Sequence, residues 1–365
     1  MTLLAMIPGI AIFLGIVLGV SGLLHYFVLR RLASLYGWRR GAWFYTAVAL
    51  ATTAFLFASV LVAIWENSAT KTAYLIAAVM LGTAFIIACV LVIQLLLARF
   101  IKLKSRTWRR AVFAASTGLV VAAIICGQII GVERVELHDT RIASELRIVQ
   151  LTDLHIGAIR GDNHMARVIE HVQTLNPDVV VITGDLIDGR GPFDPATFRR
   201  FDDIGVPVYY VTGNHEDYAG EGIVDRMLDG TTVRHIAGTA VEMGGVRFIG
   251  VDNQANAAAV SREIERILRD AAMDDETYSV LLYHRPSGWK GVAGSGIDLM
   301  LSGHTHNGQI FPFTLLVPIA ERPVNGLHEK EGLLVYVSAG TGTWGPPMRL
   351  GSTNEITVID LLPAD

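Results

Sequence analysis

The chain has 365 residues, 52% of them hydrophobic and 18% charged, with a formal net charge of −4. That length holds about two domains on the usual prior, and a mean hydropathy of +0.44 excludes a wholly water-soluble protein of ordinary composition. Cys89 and Cys126 are the only cysteines, and both fall in apolar segments, which excludes a disulfide framework.

Four stretches carry no Asp, Glu, Lys or Arg: Met1–Leu29, Gly41–Trp65, Thr72–Ala98 and Ala111–Val132. Each exceeds the roughly 20 residues that cross a bilayer as a helix. We therefore expect an all-α transmembrane domain over residues 1–131, with helices at about 3–29, 42–65, 72–98 and 111–131. The first stretch is expected to be a membrane helix rather than a cleaved signal: it lacks a basic start, is too long for a signal core, and ends in Leu29-Arg30-Arg31 without a small-residue cleavage pattern. The first connection holds Arg30, Arg31, Arg39 and Arg40, and the third holds Arg99, Lys102, Lys104, Arg106, Arg109 and Arg110. The second has only Lys71 beside Glu66. Basic loops stay on the cytoplasmic side, so the N-terminus and everything after Val132 are expected outside, with the chain multi-pass in the cytoplasmic membrane. Trp38, Trp43, Tyr45, Trp65 and Trp108 fall near segment ends, where amphipathic rings prefer the interface. Segments free of charge argue against a transporter or ion path.

From Val132 the composition turns to alternating, charge-bearing sequence, and residues 132–365 are expected to form an α/β domain. The basic residues sit mostly in the membrane loops, so this domain is acidic on balance and nucleic acid is not an expected partner. Val132–His138 alternates as a half-buried strand does. Further β-branched, apolar runs occur at Leu146–Leu151, Val179–Thr183, Val206–Val211, Val246–Val251, Ser279–Tyr283, Ile297–Leu301, Leu334–Ser338 and Ile356–Leu361. Helical patterns cover Asn163–Leu175, Pro195–Phe201, Gly222–Leu228 and Val260–Ala272, with Asp162, Asp194 and Ser261 as expected caps. Several runs are continuously apolar, as strands covered on both faces are. The expected architecture is two packed sheets flanked by helices.

Polar motifs follow these runs: Asp153-Leu154-His155, Gly184-Asp185, Gly213-Asn214-His215-Glu216, His284, and Gly303-His304-Thr305-His306. Ligands at the carboxyl ends of neighbouring strands converge on one rim. An i, i+2 spacing on an extended segment would aim Asp153 with His155, and His304 with His306, at one site. Carboxylates and imidazoles in such number can enclose two divalent cations and set water against a phosphate ester. The loop Ala339–Gly345 is rich in glycine but lacks the Gly-Lys-Ser/Thr ending of a phosphate loop. His138, His164, His171, His235 and His328 match no ligand motif.

These five ordered motifs, over about Leu146 to Gly308, resemble the calcineurin-like metallophosphoesterase family, whose fold is an αββα sandwich. Leu281–Pro286, Gly303–Phe313 and Ser338–Leu350 look most like its membrane-associated bacterial phosphodiesterase branch, which resembles animal transmembrane proteins with a metallophosphoesterase domain. The resemblance implies one metal on Asp153, His155, Asp185 and His306 and a second on Asp185, Asn214, His284 and His304, with Asp185 bridging. The metals, Mn, Fe or Zn, would lie about 3.5–4 Å apart and share an attacking hydroxide. His215 is implied as the catalytic residue that is not a ligand, against a plainer role as metal ligand or turn residue. Glu216 or Asp217 could orient it, and Asp188 is expected behind the ligands. Asn307 stands where the branch usually has glycine, which would narrow the pocket.

The function expected from these residues is a phosphodiesterase or pyrophosphatase at the outer face of the membrane, acting on a lipid-linked or envelope phosphate. A nucleotide-sugar-lipid pyrophosphatase of envelope biosynthesis is the enzymatic alternative. From another class, the alternative is a membrane binding or sensing protein with a structural metal site.

Overall fold

The computed structural model describes residues 3–189, 193–220, 222–270 and 276–364. The chain divides into two compact units, one of helices and one of sheets. The first contains α1 (Leu3–Tyr36), α2 (Ala42–Ile64), α3 (Ser68–Leu97) and α4 (Ser105–Cys126). All four are long and apolar enough to cross a membrane. Helix α1 runs past the Arg30-Arg31 pair because Leu32, Ala33 and Leu35 are good helix formers. It ends where Gly37 takes a φ of +76° and the Trp38 amide donates back to the Ala33 carbonyl at 2.9 Å, a Schellman closure. Helix α3 starts at Ser68, ahead of the expected residue, because the Asn67 side chain accepts the amides of Ala69 and Thr70. His25 is buried in this unit with its Nδ1 2.8 Å from the Ser21 carbonyl.

The second unit carries twelve strands among the described residues: β1 (Ile130–Asp139), β2 (Leu146–Leu151), β3 (Val179–Thr183), β4 (Val208–Val211), β5 (Val233–His235), β6 (Ala240–Met243), β7 (Val246–Gly250), β8 (Tyr278–Leu282), β9 (Leu299–Ser302), β10 (Gly326–Lys330), β11 (Leu333–Val337) and β12 (Asn354–Pro363). They form two mixed six-stranded sheets, in the orders β1-β12-β2-β3-β4-β5 and β10-β11-β9-β8-β7-β6. Its helices are α5 (Asp162–Leu175), α6 (Pro195–Phe198), α7 (Asn214–Ala219), α8 (Ile223–Leu228), α9 (Ala257–Asp270), α10 (Trp289–Val292) and α11 (Phe313–Ala320). Strand β1 begins at Ile130, where Asn354 Nδ2 donates to the carbonyls of Gly127 and Ile129 and β12 takes the chain in parallel.

The layering explains the continuous apolar runs. In β3, Val179 and Val181 face the other sheet and pack with Phe248, Val280 and Leu282. Val180 and Ile182 face outward onto Met165 and Val168 of α5 and Phe198 of α6. On the far side, Ile249, Leu281 and Met300 lie under Val260, Ile264 and Ile267 of α9. A strand alternates its side chains between faces, so strands covered on both faces are apolar at every position.

Two of three expected caps differ. Asp194 caps α6 through the Ala196 amide. Asp162 is instead the first residue of α5 and pairs with Arg200 at 2.5 Å. Helix α9 starts before Ser261 because Asn256 accepts the Ala259 amide at 3.1 Å; positions 271 and 272 of the expected helix lie outside the described residues.

Candidate metal centre

The polar motifs sit on the loops that leave β2, β3, β4, β8 and β9 at their carboxyl ends. Both sheets contribute, tied together beneath the loops by Gln150, whose Nε2 donates to Thr183 Oγ1 at 2.8 Å and to the Ser302 carbonyl at 2.9 Å.

The loops are not extended, contrary to the i, i+2 expectation. Asp153, His155, Asp185, His304 and His306 all hold φ between +49° and +74°, a region that residues with a Cβ seldom occupy. Such strain gathers at functional sites, where surrounding structure over-determines it. The consequence for His304 and His306 is that they part. His304 joins Asp185 and His284, whereas His306 joins Asp153 and His155, each group having its donor atoms within 4.8 Å of one another.

In the first group His155 Nε2 lies 3.0 Å from His306 Nε2, with Asp153 Oδ1 3.3 Å from the latter. In the second, His284 Nε2 lies 3.1 Å from Asp185 Oδ2, and its Nδ1 is fixed 2.8 Å from the Thr183 carbonyl. Engaging one ring nitrogen leaves the other directed at the site. Asp185 Oδ2 is also 4.0 Å from His155 Nε2 and 4.0 Å from His215 Nε2, so its carboxylate adjoins both groups. Asn214 is buried, and its Oδ1 has no hydrogen-bond partner among the described residues.

Close packing of backbone makes this density possible. A Cβ on Gly213 would lie 2.2 Å from Asp185 Oδ1, and one on Gly303 2.2 Å from Asp153 Oδ2. Glu216 closes the loops from below: it accepts the amides of Asp185 at 3.0 Å, Ile187 at 3.1 Å and Gly213 at 2.6 Å. Neither Glu216 nor Asp217 orients His215, since Asp217 bonds Asn253 Nδ2 at 2.6 Å. The acid facing His215 Nδ1 is Asp188, whose Oδ1 lies 3.7 Å from it and 3.5 Å from His155 Nδ1.

Burial divides the charge unevenly among the groups of the site. Burial opposes the charge on Asp185, but His284 and the neighbouring imidazoles hold its carboxyl well below the usual range. Burial likewise opposes charge on His284, yet Asp185 and Asp153 lift it to about 9. Burial pushes His304 down to about 3 and His215 to about 4. Neutral imidazoles, an ionised carboxylate and an unpaired amide oxygen are the donor forms that divalent metals take, and cations would displace the protons drawn to the histidines. The residues therefore fit two metal ions.

Residues beyond the motifs also shape the site. Arg349 is fully buried and donates to the carbonyls of His306 at 2.9 Å, Ala339 at 2.7 Å and Gly342 at 2.7 Å. Burial lowers its pKa to about 9. Arg349 falls within the Ser338–Leu350 stretch, but nothing in that stretch marked it for this role. The glycine loop lies on Asp153, with the Thr341 and Gly342 amides donating to the carbonyls of Thr152 and Asp153 at 2.8 and 2.9 Å. Trp344 at its end stands with its ring 5.9 Å from that of His215. Asn307 holds a φ of +48°, a conformation that asparagine, after glycine, tolerates best. Of the discounted histidines, His164 is buried in α5, and His235 bonds Asp252 at 2.9 Å.

Two sheets with metal-ligand types at one shared rim define a metallophosphoesterase-like site. The family profile of calcineurin-like phosphoesterases matches residues 146–308. A metallophosphoesterase of Campylobacter jejuni is 33% identical over 237 residues, 63% of this chain and 63% of that one. One from Aquifex aeolicus is 32% identical over 228 residues, 60% of this chain and 85% of its own. The transmembrane protein with metallophosphoesterase domain of Bos taurus is 35% identical over 242 residues, 60% and 54% of the two chains. The chain belongs to the calcineurin-like metallophosphoesterase family. It spans less than two thirds of its Campylobacter jejuni and Helicobacter pylori relatives, 61–63% of their length.

Proposed function

We propose that this protein is a metal-dependent phosphoesterase, a phosphodiesterase or pyrophosphatase, with residues 1–131 as its membrane anchor and residues 132–365 as its catalytic domain. The observation that carries the reading is Asp185, whose carboxylate adjoins both donor groups, within 3.1 Å of His284 and 4.0 Å of His155. Asp153, His155, Asp185 and His306 would hold one cation, and Asp185, Asn214, His284 and His304 the other. Two divalent ions, when bound, supply polarisation of phosphoryl oxygen and activation of water.

The chain's own groups do the rest. In its protonated form His215 would donate from Nε2 to the leaving oxygen; burial opposes that form, and the Asp188 carboxylate, with Oδ1 3.7 Å from Nδ1, favours it. Arg349 holds the His306 backbone, and Trp344 shields one side of His215. The basic residues of the first and third helix connections support a catalytic domain on the outer face, and a membrane anchor would put a lipid-linked or envelope phosphate within its reach. One observation favours a second reading of His215: its donor atom groups with those of His155 and Asp185, as a further ligand would. Metal content separates the two, since His215→Ala keeps both ions if the residue only moves protons.

The test of the reading is hydrolysis of a chromogenic phosphodiester and its monoester by the detergent-purified chain, with and without Mn²⁺. Metal-dependent turnover lost in a folded His304→Ala variant is expected. Turnover that persists in that variant would overturn the proposal.

A further inference from the structure

Helix α11 breaks the rule that the rest of the sheet unit obeys. Its sequence, Phe-Thr-Leu-Leu-Val-Pro-Ile-Ala, contains no buried residue. Phe313 is 48% exposed, Leu315 63%, Leu316 48% and Ile319 79%, and Phe311 just ahead of it is 42% exposed. A helix at a protein surface normally turns an apolar stripe inward and a polar face to water. Compare α9 of the same unit, which buries Val260, Ile264 and Ile267 and presents Arg262, Glu265 and Arg269 outward. No ionisable residue occurs from Asn307 to Ala320, and Glu321-Arg322 follow at once. A contiguous exposed apolar patch with a charged margin marks a surface made for an apolar partner.

We propose that α11 lies in the interface of the lipid bilayer, with Phe311, Phe313, Leu315, Leu316 and Ile319 among the acyl chains and Arg322 at the headgroups. Eight residues make a helix about 12 Å long, too short to span a bilayer. The occupant is argued from the chain itself. Four helices long enough to cross a membrane precede the sheet unit, and only Gly127, Gln128 and Ile129 separate the last of them from β1. A bilayer is thus the apolar phase within covalent reach. The helix also starts soon after His306, and Gln309 between them exchanges two hydrogen bonds with the Trp344 backbone, each 3.0 Å. Lipid contact at α11 would therefore place the metal-ligand loop at the level of the headgroups. This inference rests on the membrane-anchor part of the proposed function and is independent of the hydrolytic part.

The experiment uses the full chain in lipid nanodiscs, with Cys89 and Cys126 replaced by alanine. An environment-sensitive fluorophore is placed at Ile319→Cys or, separately, at Leu316→Cys, and phosphatidylcholine carrying a spin label on its acyl chain is the quencher. Leu50→Cys in α2 reports the bilayer core, and Arg262→Cys on α9 reports water. The expected result is loss of fluorescence at both α11 positions close to that at Leu50, with none at Arg262. A label at α11 that behaves like Arg262 while Leu50 is quenched overturns the inference. So does a label shielded from water yet untouched by the lipid quencher, which would mean a second protein copy covers the helix. If Leu50 also escapes quenching, the membrane anchor fails too, whatever the hydrolytic activity.

Discussion

Glu216→Ala should unsettle both halves of the metal centre at once. The Glu216 carboxylate receives three amides, those of Asp185, Ile187 and Gly213, at 3.0, 3.1 and 2.6 Å. The side chain is buried, so alanine leaves three donors without a partner in a space that admits little water. Each such donor costs about 1–3 kcal/mol; with relaxation, the total loss is on the order of 4 kcal/mol. Glutamine offers a sharper comparison. Its one oxygen can take the place of Oε2 and keep Asp185 and Gly213, leaving only Ile187 facing an amide group. That variant should lose about 1–3 kcal/mol. For a domain of this size each kcal/mol lowers Tm by about 2–4 °C, so Ala should melt roughly 10 °C below wild type and Gln a few degrees below. The assay is near-ultraviolet circular dichroism of the detergent-purified chain against temperature, in chelator so that metal release does not enter. Equal shifts for Ala and Gln, or an Ala shift under about 2 °C, would refute the reasoning.

Gly303→Ala should abolish metal retention at the Asp153 group, because the added Cβ meets Asp153 Oδ2 and Thr152 Oγ1, both at 2.2 Å; metal content of the folded variant by mass spectrometry checks this, and retention equal to wild type would contradict it. Away from the site, His235 is raised above its ordinary 6.5 chiefly by its hydrogen bond with Asp252, against partial burial, with Asp225 adding to the effect. A raised histidine stabilises the fold fully below its unfolded value and loses that contribution as pH climbs through the folded value. The wild type should therefore lose Tm, relative to His235→Asn, as pH rises from about 6.5 upward. A difference that is constant with pH would contradict the assignment.

The sheets and the metal motifs were legible because their physics is local. Val179–Thr183 is apolar at every position since both faces are covered, and Asp185 follows two residues after it. Edge strands were harder. Strand β5 has no buried residue and β10 alternates between half-buried and exposed, so neither offers the apolar run by which the interior strands were recognised. Helix α11 escaped notice because it is apolar without a polar face, and periodicity cannot detect a helix that lacks an amphipathic stripe. At the site, residue types were readable but backbone was not. Asp and His enter left-handed φ more often than other residues with a Cβ, but nothing in the sequence marks Asp153, His155, Asp185, His304 and His306 for it; in the folded chain Glu216 holds the Asp185 amide and the glycine loop holds the Asp153 carbonyl. Arg349 is the extreme case, since its importance lies in three carbonyls that only the folded chain brings to it.

The most direct measurement is metal content per chain, paired with diester turnover on the same samples, for wild type, His306→Ala, His304→Ala and Asp185→Asn. With Asp185 serving both cations, wild type should hold about two divalent ions, each histidine variant should lose one, and Asp185→Asn should lose both together with all turnover. Asp185→Asn that keeps a full metal complement and wild-type turnover would contradict a shared-carboxylate, two-metal centre.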